Sequence, residues 1–108
     1  MDLAADCYKL TQAFPVEERY GMTAQIRRAV SSVAANIAEG YGRETTGAFV
    51  QFLRVAQGSV RELETHLLLS ARVLIVREDQ VAQPLGDCER ISKMLRSLIR
   101  SLEARANV

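Results

Sequence analysis

The chain has no tryptophan, one histidine, two prolines, two cysteines and six glycines among its 108 residues. Aromatic residues make up 6% of it. So little Pro and Gly excludes a collagen-like repeat, and two cysteines exclude a disulfide-dense secreted scaffold. A hydrophobic share of 48% excludes a disordered tail. Fourteen Lys+Arg against thirteen Asp+Glu leave a net charge of +1, so no global field names a partner. The uncharged apolar runs Leu67–Ala71 and Val73–Val76 are interrupted by Arg72 and end at Arg77. Both fall far short of the roughly 18–20 residues a membrane helix needs. The first residues, Met1-Asp2-Leu3-Ala4-Ala5-Asp6, carry acids where a secretory signal carries Lys or Arg. A cytoplasmic protein without membrane contact is expected, with Cys7 and Cys88 as buried free thiols.

What is present is helix-forming. Many Ala, Leu, Arg, Glu and Ser residues and few β-branched or aromatic ones point to an all-α domain. Leu3, Cys7, Leu10 and Phe14 share one face of a first helix over about 2–13, which Pro15 stops. Thr23 is the expected N-cap of a second helix over about 23–41. In it, Ile26, Ala29, Val30, Val33, Ala34, Ile37, Ala38 and Tyr41 form an amphipathic stripe, and Gly40 and Gly42 close it. A third helix is expected over about 46–76, with Phe49, Phe52, Leu53, Ala56, Val60, Leu63, Leu67, Ala71 and Leu74 inward. Gly58 lies mid-helix, where it implies close approach of a neighbouring helix near Ser31 and Ser32. A fourth helix over about 79–104, opening near Glu78–Asp79 or reset at Pro84, carries Val81, Cys88, Leu95 and Leu102 at intervals of seven. Short links between four helices predict one antiparallel up-down-up-down bundle over residues 1–108.

The end of the third helix is apolar around its whole circumference, and the fourth is wider than one seam requires. A chain of this length has too little interior to hide both, so the excess predicts a closed oligomer. Leu68, Leu69, Val73, Ile75, Val76, Met94 and Ile99 are the expected interface residues.

Chemistry is harder to find. His66 lies four residues after Glu62, but no second histidine exists to complete a metal site. The carboxylate pairs are explained by surface charge, and no phosphate-loop or nucleophile-elbow pattern occurs. No enzyme, metal or cofactor is expected. The arginines are the remaining lead. Arg90, Lys93, Arg96 and Arg100 form a slanting stripe on the fourth helix, and after Arg90 only Glu103 opposes them and Arg105. Such a stripe suits phosphates; it equally suits the helix C-terminal dipole. Arg54 and Arg61 are seven apart and share a face, and Arg43 stands nearby in sequence. Arg27 and Arg28 fall level with Glu62 and Glu64, which predicts interhelical ion pairs. No aromatic is interleaved with these clusters, so any nucleic-acid binding would be led by charge and shape.

Phe14-Pro15, Glu18, Tyr20-Gly21, Gln25-Ile26-Arg27-Arg28-Ala29, Asn36-Ile37-Ala38-Glu39-Gly40, Phe52-Leu53, Ala56, Gly58-Ser59 and Glu62-Leu63-Glu64 follow in a distinctive order. Over about residues 8–70 this pattern resembles the bacterial four-helix bundle proteins encoded within intervening sequences of large-subunit ribosomal RNA genes. That family is similar to the accessory variability proteins of diversity-generating retroelements, pentameric barrels that bind nucleic acid and a reverse transcriptase. The resemblance implies an antiparallel bundle, a homopentamer, and RNA, DNA or a reverse transcriptase as possible partners. It makes Arg27, Arg28, Arg43 and Arg54 family-typical basic positions, and Asn36, Glu39, Gly40, Gly58, Glu62 and Glu64 signature positions. Ala34 stands where family members often carry Pro, and the chain is less basic than the retroelement proteins.

The expectation is therefore a non-enzymatic oligomeric adaptor that binds RNA or DNA through Arg27, Arg28, Arg43, Arg54, Arg61, Arg90, Lys93, Arg96 and Arg100. The alternative is a protein-binding scaffold without nucleic-acid affinity. A metal- or small-molecule-binding bundle seeded by His66 and Glu62 is the third reading.

Overall fold

The computed structural model describes residues 2–18 and 21–106; Tyr20, part of the quoted pattern, lies outside them. Among them four helices follow one another: α1 (Asp2–Gln12), α2 (Met22–Tyr41), α3 (Thr46–Arg72) and α4 (Glu78–Ala106), with one 3-10 turn at Val16–Glu18. Among the described residues α1 packs on α2, α2 on α3, α3 on α4 and α4 on α1, and no diagonal pair packs. Helices joined in such a ring enclose one core, in a body 51 × 22 × 19 Å. At about 1.5 Å per residue, α1 is less than half as long as α3 or α4. It covers the first half of α4, where Asp6, Leu10 and Ala13 face Gln80, Gln83 and Pro84 across a cleft.

The apolar periodicities become the core. Leu3 and Cys7 of α1, Ile26, Val30 and Val33 of α2, Leu53, Val60, Leu63 and Leu67 of α3, and Val81, Cys88 and Leu95 of α4 are buried together. Each fully buried Leu or Ile contributes about 1.5–3 kcal/mol relative to exposure.

Helix ends explain several departures from the sequence reading. Thr23 does not cap α2: the cap position is Gly21, the Glu18 carboxylate accepts from the Met22 N–H at 3.3 Å, and Thr23 is buried inside the helix. Thr45 caps α3, its hydroxyl accepting from the Ala48 N–H at 3.2 Å. At α4 the Gln80 side chain reaches back to the Arg77 N–H at 2.9 Å, half of a capping box, and Glu78 and Asp79 complement the helix dipole. The helix runs unbroken through Pro84, so no reset occurs there.

The largest correction concerns the end of α3, which stops at Arg72 rather than near residue 76. The Leu74 N–H bonds to the Ala71 carbonyl (3.2 Å) and the Ile75 N–H to the Ser70 carbonyl (2.9 Å). With Leu74 at φ 64° this is a Schellman closure. It ejects Leu74 from the expected inner stripe and turns Val76 back into the core.

Candidate functional site

Five of the basic residues on α3 and α4 border one groove. Arg54 and Arg61 lie two turns apart on α3; Lys93, Arg96 and Arg100 follow at intervals of three and four on α4. Where α3 packs on α4, these side chains border two adjoining polar clefts that share Gln57 and Arg96. The first, about 250 Å³, holds Arg61, Glu64, Glu89, Ser92 and Lys93; the second, about 170 Å³, holds Arg54, Ile99, Arg100 and Glu103. Five cations thus face three carboxylates along the two clefts. Arg54 is tied to Glu103 at 2.9 Å, and Lys93 stands 3.5 Å from Glu89. Among the described residues Arg61, Arg96 and Arg100 have no carboxylate partner, and all three are exposed. Guanidinium groups left open beside amide and hydroxyl donors suit a phosphate or carboxylate.

The other expected cations are elsewhere. Arg27 makes no ion pair with Glu62 or Glu64; its Nε donates to Thr11 Oγ1 at 2.9 Å, and its guanidinium lies 4.7 Å from the centre of the Tyr8 ring. It fastens α1 to α2. Arg28 is exposed and forms no ion pair among the described residues either. Arg43 pairs with Glu39 at 3.0 Å, bonds the Glu39 carbonyl, and lies over Phe52, closing the end of α2. Arg90 pairs with Asp87 one turn before it.

The signature positions divide between structure and surface. Asn36 donates to the Ser32 carbonyl (2.8 Å) and hydroxyl (3.1 Å). Gly40, not Gly58, makes the close approach: a Cβ there would stand 2.9 Å from the Phe49 ring and 3.3 Å from Phe52 Cβ. A Cβ on Gly58 would meet nothing within 4 Å, and Ser59 rather than Gly58 faces Ser32. Glu62 stands 3.5 Å from His66 Nε2, and neither ring nitrogen of His66 finds a hydrogen-bond partner. Glu64 turns toward the α3–α4 groove.

Of the expected interface residues, Leu68, Leu69, Val73 and Met94 are exposed and Ile75 is half-buried. Val76 (8% exposed) and Ile99 (4%) are core residues, so neither is free to meet another chain. Leu74, expected on the inner stripe, is at 87% the most exposed large apolar side chain among the described residues. The β-branched Val73, Ile75 and Val76 were the one local sign that the helix would end before it.

Nothing in the described residues resembles a reactive centre. Cys7 and Cys88 are free and buried, and burial first, then the neighbouring carboxylates Asp6 and Glu64 respectively, push both thiols up to about 12. Such thiols are poor nucleophiles. Among the described residues no three His, Cys, Asp or Glu side chains are placed to hold a metal ion, and no helix is long and apolar enough to cross a membrane.

Known proteins place the chain. A crystal structure of a protein of unknown function from the S23 ribosomal protein family of Bacteroides thetaiotaomicron superposes with a TM-score of 0.76 at 28% identity, covering 89% of this chain and 87% of the other. No curated protein matches the chain. The family model described as 23S rRNA-intervening sequence protein matches residues 1–97. With all four helices inside or entering that span, the chain belongs to the 23S rRNA-intervening sequence protein family.

Proposed function

We propose that this protein is a non-enzymatic adaptor that binds RNA or DNA along the α3–α4 groove. The observation that carries the reading is the convergence of Arg54, Arg61, Lys93, Arg96 and Arg100, three of them without a carboxylate partner, on one groove. A net charge of +1 supplies no long-range attraction, so this local cluster has to provide the affinity. Among the described residues no aromatic lines the groove, so recognition follows backbone charge and shape rather than base identity.

The same reading makes the helices an antiparallel up-down-up-down bundle that self-associates into a closed ring. Supporting the first part, Gly40 late in α2 meets Phe49 early in α3, while Ser32 meets Ser59. Supporting the second, Leu68, Leu69, Val73, Leu74 and Met94 leave apolar surface uncovered on a small domain. A count of five subunits rests on the resemblance to the retroelement accessory proteins. Two free buried thiols suit the reducing cytoplasm.

Anisotropy of a labelled mixed-sequence RNA and its DNA counterpart, titrated at about 50 mM and about 200 mM salt, tests the binding claim. Binding that weakens steeply with salt is expected. Absence of binding to either at the lower salt overturns it and leaves the second reading, a protein-docking scaffold, which the exposed leucines favour.

A further inference from the structure

We propose that Cys7 and Cys88 are an oxidisable pair across the α1–α4 contact, a thiol switch that is exposed when α1 opens and closed by a disulfide fastening α1 to α4.

The two cysteines of the chain lie on different helices, at opposite ends of the sequence, and both are fully buried in the same core cluster. Their helices pack directly on each other. Leu10 and Pro84 face the same α1–α4 cleft. Cys7 stands one turn before Leu10, and Cys88 one turn after Pro84. In the antiparallel arrangement proposed above, those two steps run the same way and bring Cys7 level with Cys88, both on the inner side. The electrostatics agree. After burial and Asp6, Asp87 of α4 raises the Cys7 thiol; after burial and Glu64, Cys7 itself raises Cys88.

In the closed fold neither sulfur reaches solvent, and each holds its proton up to about 12, so the pair rests as inert thiols. Access depends on α1, the shortest of the four helices. Its tie to α2 is Arg27, through Thr11 Oγ1 and the Tyr8 ring. Lifting α1 removes the burial that protects both thiols and returns them toward their ordinary value of 9.0.

The oxidant is a low-molecular-weight disulfide such as oxidised glutathione. One cysteine gives its proton to solvent, and its thiolate attacks a glutathione sulfur. The glutathione S–S bond breaks and one glutathione thiolate leaves. The second cysteine, deprotonated in turn, attacks the protein sulfur of the mixed disulfide and expels the other glutathione. Two protein thiols become one disulfide, and the oxidant takes up the two electrons and two protons as two glutathione thiols. The new bond closes a loop over most of the chain, where a cross-link constrains the unfolded state strongly.

Incubation of the full chain with oxidised glutathione, followed by intact mass, peptide mapping and thermal melts, tests the switch. The expected product is a monomeric chain about 2 Da lighter, joined Cys7 to Cys88, melting roughly 10 °C or more higher and restored by dithiothreitol. Cys7→Ala and Cys88→Ala should each stop at a glutathione adduct without that rise. Arg27→Ala, which loosens α1, should reach the same product at least several-fold faster. Thiols that stay reduced, or products confined to glutathione adducts or bonds between chains, overturn the pairing. An Arg27→Ala chain that reacts no faster overturns the gating by α1.

Discussion

The hydroxyls of Ser32 and Ser59 lie 2.7 Å apart between α2 and α3. They form the middle of a directed chain: the Asn36 amide donates to Ser32 Oγ, Ser32 donates to Ser59, and Ser59 donates to the Val55 carbonyl at 3.2 Å. Each of the two hydroxyls accepts once and donates once, so a half-buried polar seam crosses the helix pair without an orphaned hydroxyl. Ser59→Ala is expected to cost about 1 kcal/mol. The double variant with Ser32→Ala should cost less than the sum of the singles by roughly 0.5–1 kcal/mol, as read from urea denaturation. Additive losses would mean the two hydroxyls do not depend on each other.

Two glycines should respond with opposite signs. At Gly58 no neighbour stands within 4 Å of an added Cβ, so Gly58→Ala gains helix propensity and should stabilise by about 1 kcal/mol. At Gly40 the same methyl meets the Phe49 ring at 2.9 Å and Phe52 Cβ at 3.3 Å. Phe49 is held against Tyr41, with ring centres 4.9 Å apart, so Gly40→Ala should destabilise by roughly 1–3 kcal/mol despite its propensity gain. Melting temperatures moving in the same direction for both variants would refute this account of the α2–α3 contact.

Alkaline pH should weaken the fold through the two thiols. Their usual value of 9.0 is pushed up to about 12 in the folded chain by burial, with smaller contributions from neighbouring acids. Between those limits the unfolded chain has released thiol protons that the folded chain still holds. Their stabilisation is therefore complete below about pH 9 and is lost as pH rises toward about 12. The urea midpoint should fall over this window more steeply in wild type than in the Cys7→Ala/Cys88→Ala variant. Parallel curves for the two proteins would contradict the assignment.

The sequence was most readable where periodicity and burial coincide. The stripe from Ile26 to Val33 predicts α2 because a half-buried helix repeats its apolar face with the helical period. Periodicity failed after Arg72, since Val73, Leu74, Ile75 and Val76 are apolar in a helix or in a tight turn alike. The Schellman closure is set by backbone hydrogen bonds that hydrophobicity does not encode. The basic site was half legible. Arg54 and Arg61 share a face by spacing alone, but their meeting with Arg96 and Arg100 depends on how α3 slides along α4. The expected ion pair of Arg27 with Glu62 or Glu64 fails for a related reason: its partners, Thr11 and Tyr8, sit on α1, and spacing along α2 does not say which neighbour it faces.

The most direct test of the groove is the salt dependence of RNA affinity in Arg61→Ala/Arg96→Ala beside Arg27→Ala. Each phosphate contact contributes roughly 0.7 to the slope of log affinity against log salt for a single strand. Loss of both groove arginines should lower that slope by about 1.4 and weaken binding, while Arg27→Ala, which alters the α1–α2 junction, should leave the slope unchanged. Equal slopes in wild type and the groove variant would contradict phosphate recognition between α3 and α4.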